Sequence, residues 1–262
     1  MLSPYSNQFS SPLLPDNLQQ LISSRAPGNK LGVTITDTRP ARNGQARNIE
    51  NSWLTEQELQ QLNRFSFDKR RAEWLSGRIC AKQAALELLN GRDDFKVLQP
   101  QDIVIETNLS GRPHLRADDH LNGVSNIDIS ISHSHEMAIS IAGHGLCGVD
   151  IQLLNDTLFR VRQRYCADFE AVILGDITDD ELLQLGLLWV SKEALRKCLS
   201  SIKLLGFMEI QLEGSSLEQG YHVLHFRLEE PFSHAGSISV TTHAHGSYAL
   251  AVCTIARERL DA

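Results

Sequence analysis

Asp150 and Gln152, in Gly148-Val-Asp-Ile-Gln152, carry the sharpest chemical suggestion in this sequence. Strand alternation puts both side chains on one face and Val149 and Ile151 on the other. Two readings fit: a charged residue at a strand edge, or one wall of an Mg²⁺ site. Such a site needs oxygen ligands but only one or two protein carboxylates beside phosphates and water. About forty residues on, Trp189, Glu193 and Lys197 recur at i, i+4 and i+8, so a helix would show them on one face. A surface Glu–Lys pair with Trp189 in the core explains that spacing, and alone it decides nothing. Lys192 and Arg196 form a neighbouring cationic row.

A second basic set is Lys69, Arg70, Arg71, Arg78 and Lys82, opposed by Glu73 and Glu87. Residues eight apart on a helix diverge by about 80°, so Arg70 and Arg78 share one broad side. That side is either a solvated basic face or an anion site, because arginine forks match phosphate geometry. In Ser132-His133-Ser134-His135 the His-x-His spacing could ligate zinc, but no further ligand set accompanies it. His133 reads as a phosphate donor or as a simple turn histidine. His243 and His245 receive no role.

Positioning these residues takes strands and helices in alternation. A strand is expected at 31–36, then a Gly/Arg/Asn-rich loop through Asn48. Thr55 with Glu58 three residues on is a capping box that opens a helix. Asp68 opens another helix, stopped by Asn90-Gly91. A strand at 103–106, a turn at 110–113, a β-hairpin over 126–142 and a strand at 148–152 follow. Helices are expected over 158–174 and 180–199, then strands at 207–212, 222–227, 238–242 and 248–254. The halves echo each other. Trp74-Leu-Ser-Gly-Arg78 precedes the hairpin ISISHSHEMAISIA, and Trp189-Val-Ser-Lys-Glu193 precedes ISVTTHAHGSYALAV. A duplication predicts an α+β fold of two similar halves about a pseudo-twofold, with the active site in the cleft between them. The expected divisions are 1–30, a Ser/Pro/Asn/Gln-rich and partly disordered leader, then 31–146 and 147–262.

The formal net charge of −7 argues against a general nucleic-acid binder, which needs a basic surface. No run of 18 apolar residues suggests a membrane helix, and the first thirty residues lack the pattern of a signal peptide. Five scattered cysteines, odd in number and without a C-x-x-C pair, read as reduced thiols of a cytoplasmic protein.

Taken together, the motifs resemble a family. Gly148-Val-Asp-Ile-Gln152 resembles the G-[IV]-D-[IV]-E signature of the 4′-phosphopantetheinyl transferases, and Trp189-Val-Ser-Lys-Glu-Ala-Leu-Arg-Lys197 their W-x-x-K-E-A-x-x-K signature. Ser110-Gly-Arg-Pro113 is similar to the family's G-[KR]-P element, Ile131-Ser-His-Ser134 to its S-H-S element, and Glu73-Trp-Leu-Ser-Gly-Arg78 to its Arg-bearing helix. Five elements in order span about Arg70 to Lys197. Length and tandem halves resemble the monomeric surfactin-synthetase-activating type rather than the short trimeric synthases.

The resemblance implies an Mg²⁺-dependent enzyme that moves the phosphopantetheine arm of coenzyme A onto a serine of an apo carrier protein and releases 3′,5′-ADP. Asp150 and Glu193, with Gln152, would bind Mg²⁺. Arg70, Arg78, Arg112, Ser132, His133 and Lys192 would hold the coenzyme A phosphates. Glu193 would deprotonate the acceptor serine, and Lys197 would stabilise the departing 3′,5′-ADP. The family usually carries a second acid where this chain has Gln152, whose amide oxygen can ligate a metal but brings no charge. That departure keeps a non-catalytic coenzyme A- or carrier-binding relative as an alternative. An Mg²⁺-dependent phosphohydrolase is the other, disfavoured because no Asp/His-rich two-metal set is present.

Overall fold

The protein is described by a computed structural model over residues 14–42, 47–90, 97–109, 111–116 and 127–260. Gly91, Ser110 and Asn126 lie outside those residues. Two units divide the chain: Leu31–Ala142 in one, and Asp16–Lys30 with Gly143–Ala262 in the other.

Residues Asp16–Arg25 form a helix, α1. It occupies part of the segment expected as a partly disordered leader. Leu18, Leu21 and Ile22 are at most 3% exposed, and their i, i+3, i+4 spacing makes one apolar stripe. The Tyr221 hydroxyl donates to Asn17 Oδ1 at 2.7 Å, and Arg25 pairs with Glu218 at 2.6 Å. The polar composition of the segment concealed that stripe, and the segment belongs with the second unit.

In the first unit the elements are β1 (Leu31–Asp37), α2 (Arg39–Arg42), α3 (Arg47–Trp53), α4 (Glu56–Leu62), α5 (Asp68–Asn90), β2 (Val104–Thr107), β3 (Pro113–Arg116), β4 (Ile127–Ser134) and β5 (Met137–His144). Helices α2 and α3 replace much of the expected loop, because Ile49 packs with Leu54, Leu62, Leu75 and Ile79. The capping box at Thr55 is formed as anticipated. Strand β3 was not anticipated.

In the second unit the elements are β6 (Leu146–Leu153), α6 (Thr157–Val161), α7 (Asp168–Gly175), α8 (Glu181–Leu199), β7 (Ile210–Glu218), β8 (Tyr221–Leu228), β9 (Ile238–His245) and β10 (Tyr248–Ile255). The helix expected over 158–174 breaks into α6 and α7 around a 3₁₀ turn at Arg162–Arg164. Strand β7 starts at Ile210 rather than 207, because Glu209 accepts the Gly206 N–H and closes a 3₁₀ turn over Phe207–Glu209.

Strand order is β1-β5-β4-β3-β2 in the first sheet and β6-β10-β9-β8-β7 in the second, the same order in the same chain sequence. Each unit lays its long helix on its first strand by the same device. A Cβ on Gly32 would lie 1.9 Å from Ala84 O on α5, and a Cβ on Gly148 would lie 1.9 Å from Ala194 O on α8. Only glycine admits backbone this close.

A buried ion pair repeats as well. Lys82 Nζ lies 2.6 Å from Glu58 and donates to Trp53 O and Pro100 O. Lys192 Nζ lies 2.7 Å from Glu170 and donates to Tyr165 O and Phe207 O. Glu58 also accepts the Thr55 and Ile105 N–H groups, and Glu170 those of Ala167 and Leu212. Losing one partner of such a pair costs about 3–5 kcal/mol, because the other is left as an uncompensated buried charge.

These correspondences set Lys82 against Lys192 and Gly32 against Gly148. Counting along the helices, Trp189 matches Ile79, not Trp74. The Trp-to-Trp alignment read from sequence was therefore out of register. Among the described residues no helix is long and apolar enough to cross a membrane, and all five cysteines are free thiols and buried.

Candidate functional site

The second unit assembles a charged group where α8 crosses β6. Gly148, Asp150 and Gln152 share the β6 face toward α8, since the Cβ position of Gly148 points at the Ala194 carbonyl. Across the ladder, Asp150 faces Ala251 and Gln152 faces Ala249, small neighbours that let the helix lie close. At the start of α8, Asp180 caps by accepting the Leu183 N–H at 3.1 Å.

Asp150 is only 5% exposed. Lys197 reaches back from α8, its Nζ 2.7 Å from Asp150 Oδ1 and 3.1 Å from Val149 O. One helical turn earlier, Glu193 Oε1 accepts from Arg196 at 2.8 Å. Arg196 is itself fixed: its Nε donates to Leu205 O at 2.7 Å, and its guanidinium lies 4.3 Å from the centre of the Phe207 ring. Trp189 packs on Phe207 and edge-on to Tyr165, with both centroids at 5.0 Å. The tryptophan, half-buried against the core, thus backs the ring on which the arginine lies.

Burial pushes the Glu193 carboxyl above its ordinary range, and the Asp150 charge raises it further, against opposing effects of Arg196 and Lys197. Lys197 on Asp150 and Arg196 on Glu193 bring both carboxylates to one stretch of α8. That donor chemistry fits a hard divalent cation, which neutralises both groups and takes oxygen ligands. Among the described residues no cluster of three or more His, Cys, Asp or Glu side chains forms a metal cage. An ion here would complete its shell with water and substrate oxygens. Gln152 donates its amide N–H to Leu153 O at 3.0 Å, which leaves its oxygen as the atom it can offer a cation.

Lys192 turns its ammonium into the core. It was expected to hold a coenzyme A phosphate, but its ammonium is 1% exposed and faces Glu170, Tyr165 O and Phe207 O. An ammonium has three donors, and three internal acceptors use them. Burial lowers its proton affinity and Glu170 restores part of it. Its counterpart Lys82 does the same work in the first unit, so the role is to tie α8 to its surroundings.

The charged set is peculiar to the second unit. By the same correspondence, Thr34, Gln83 and Glu87 stand where Asp150, Glu193 and Lys197 stand. The missed residue is Arg196. Its signal is the i, i+3 spacing from Glu193, where the sequence showed only a cationic row with Lys192.

The first unit has a cavity of about 270 Å³ whose walls include Trp74, Arg78, Gly111, Pro113 and His133, with Glu73 alongside. Arg78 is 4% exposed, donates to Ile105 O and sits 4.7 Å from the Trp74 ring centre. Burial lowers its proton affinity, partly offset by Glu58. The cavity is lined by both Arg78 and His133, but not by the whole phosphate set that the resemblance implies. Ser132 is buried on the opposite face of β4 from exposed His133. Arg112 pairs with Asp128, and Arg70 stands exposed near the start of α5.

No protein-family model matches the sequence. The holo-[acyl-carrier-protein] synthase of Staphylococcus carnosus (strain TM300) is 33% identical over 87 residues, which is 33% of this chain and 69% of that protein. Three solved structures are similar over part of the chain. The holo-ACP-synthase of Plasmodium yoelii is 24% identical, covering 43% of this chain and 91% of its own at a TM-score of 0.35. The holo-[acyl-carrier-protein] synthase of Neisseria meningitidis is 17% identical, covering 44% and 96% at 0.37. That of Helicobacter pylori, in complex with coenzyme A, is 18% identical, covering 44% and 99% at 0.36.

Proposed function

Because the chain belongs to the holo-[acyl-carrier-protein] synthase (4′-phosphopantetheinyl transferase) superfamily, we propose that it transfers 4′-phosphopantetheine from coenzyme A to a serine of an apo carrier protein. The observation that carries this reading is the contact of Lys197 with Asp150, one helical turn from Glu193 in the grip of Arg196. The reaction needs a base for a weak hydroxyl nucleophile and cations for the charge that develops at phosphorus. This group contains both kinds of residue.

In the proposed mechanism Glu193 accepts the proton of the acceptor serine, whose oxygen bonds to the pantetheine-side phosphorus of coenzyme A. The bond from that phosphorus to the bridging oxygen breaks, and 3′,5′-ADP leaves with the electron pair. Lys197 donates to the departing phosphate. Arg196 keeps the Glu193 carboxylate aimed. Asp150 and Glu193, with the Gln152 oxygen, would hold Mg²⁺, which when bound neutralises charge on the pyrophosphate oxygens. Arg78 and His133 are assigned to coenzyme A phosphates on the support of their shared cavity. Arg70, Arg112 and Ser132 are secondary candidates for the same task. Two like-ordered sheets in one chain support the surfactin-synthetase-activating type, acting as a monomer.

The test is to incubate the protein with coenzyme A, Mg²⁺ and apo carrier proteins and weigh the carrier intact. One added phosphopantetheine per carrier is expected, and none with Asp150→Ala. Ordinary turnover by Asp150→Ala would remove the proposed site. Cleavage of coenzyme A without any acceptor would point to a phosphohydrolase instead.

A further inference from the structure

Three side chains of α8 converge on one residue outside it. Trp189, Lys192 and Arg196 follow i, i+3, i+7, a single helical stripe, and each meets Phe207 in the turn after the helix. The Trp189 ring centre is 5.0 Å from that of Phe207, Lys192 donates to Phe207 O at 3.2 Å, and the Arg196 guanidinium lies 4.3 Å from the Phe207 ring centre. Arg196 also donates to Leu205 O through Nε and to Glu193 Oε1 through a terminal nitrogen. Glu209 closes the turn by accepting the Gly206 N–H, and it pairs with Lys203 at 3.2 Å.

The first unit separates the scaffold from the addition. Its 3₁₀ turn at Pro100–Asp102 is closed in the same way, by Asp102 accepting the Gln99 N–H. Lys82 donates to Pro100 O as Lys192 does to Phe207 O. The turn and its lysine are thus common to both units. Where the second unit has Trp189, Phe207 and Arg196, however, the first has Ile79, Pro100 and Leu86, and Gln83 stands in place of Glu193. The ring and the arginine come with the carboxylate.

We propose that Phe207 is a positioning residue for the transfer reaction, its ring holding the Arg196 guanidinium and, through it, the Glu193 carboxylate in one setting. The inference rests on the reading of Glu193 as the group that takes the serine proton. A guanidinium bound at Nε by Leu205 O and at a terminal nitrogen by Glu193 can still tilt about the line between those two bonds. An aromatic face within about 6 Å attracts the cation and fixes its plane. Without the ring the arginine keeps its partners but tilts, and the carboxylate it holds tilts with it. That defect touches the proton transfer and not the binding of coenzyme A, so kcat and kcat/KM fall together.

The experiment compares the wild-type chain with Phe207→Leu, Phe207→Tyr and Arg196→Lys, each checked by a melting curve. Nitrogen-15 NMR follows the Arg196 Nε–H, assigned by its loss in Arg196→Lys. Intact-mass assays with coenzyme A, Mg²⁺ and an apo carrier give kcat and KM. In Phe207→Leu the Nε–H is expected to exchange with water at least about tenfold faster, as local protection is lost. Its kcat should fall at least about tenfold with KM for coenzyme A unchanged, since reacting groups tolerate little misplacement. Phe207→Tyr restores both, because it returns the ring. Arg196→Lys leaves the turn untouched and should show the same loss of kcat, which covers a Phe207→Leu that does not fold. Wild-type exchange or turnover in folded Phe207→Leu, a tyrosine variant that behaves like the leucine one, or full turnover by Arg196→Lys overturns the positioning role. A wild-type chain that modifies no carrier removes the transfer reading instead, while the exchange comparison still decides whether the ring holds the arginine.

Discussion

Gly148→Ala tests the close approach of α8 to β6 on which the carboxylate pair depends. The added methyl would start 1.9 Å from Ala194 O, 2.6 Å from the Cys198 amide nitrogen and 2.9 Å from Ala194 C, all backbone. To restore ordinary contact the helix must retreat by about 1.5 Å, since non-bonded heavy atoms settle near 3.5 Å. Overpacking of this kind costs about 1–3 kcal/mol, which lowers Tm by about 3–10 °C for a protein of this size. Because Glu193 and Lys197 ride on the helix and Asp150 on the strand, the same retreat separates them. A misplacement of about 1 Å at reacting groups costs about 10²-fold in turnover. The assay pairs thermal melting with carrier modification and Mn²⁺ titration. Gly32→Ala is the control, because its Cβ also meets a carbonyl at 1.9 Å, in the unit that carries neither carboxylate. It should lose similar stability while binding Mn²⁺ like wild type. If Gly148→Ala melts with the wild type and keeps its Mn²⁺ affinity, the helix is not seated as described and the geometric argument fails.

Lys192→Met should lose about 3–5 kcal/mol in urea unfolding, because it strands the Glu170 carboxylate in the core. Adding Glu170→Gln should recover part of that loss, and coenzyme A affinity of the folded variant should be unchanged. Loss of coenzyme A binding in a folded Lys192→Met would return that lysine to the ligand set. Gln152→Glu should lower the Mg²⁺ concentration needed for half-maximal transfer by adding a charged ligand beside Asp150. An unchanged or greater requirement would place residue 152 outside the metal's shell.

Much of the architecture was legible because local rules suffice for it. The capping box at Thr55 opens α4 as its spacing demanded, and α5 and α8 fall close to their sequence bounds. Differences gathered where tertiary contacts decide. A Ser-rich stretch becomes α1 because Leu18, Leu21 and Ile22 find a surface to bury against. The strand before Leu212 shortens because Glu209 closes a turn.

For the site, the sequence alone established the residue types and their faces: Asp150 beside Gln152 on a strand, Glu193 one turn before Lys197 on a helix. Only the fold decided which cations those acids meet. Lys192 and Lys197 look equivalent along the chain, yet the helix turns one ammonium into the core onto Glu170 and the other toward Asp150. Helical periodicity specifies direction relative to neighbouring residues, whereas the packing of α8 on its sheet specifies what lies in that direction.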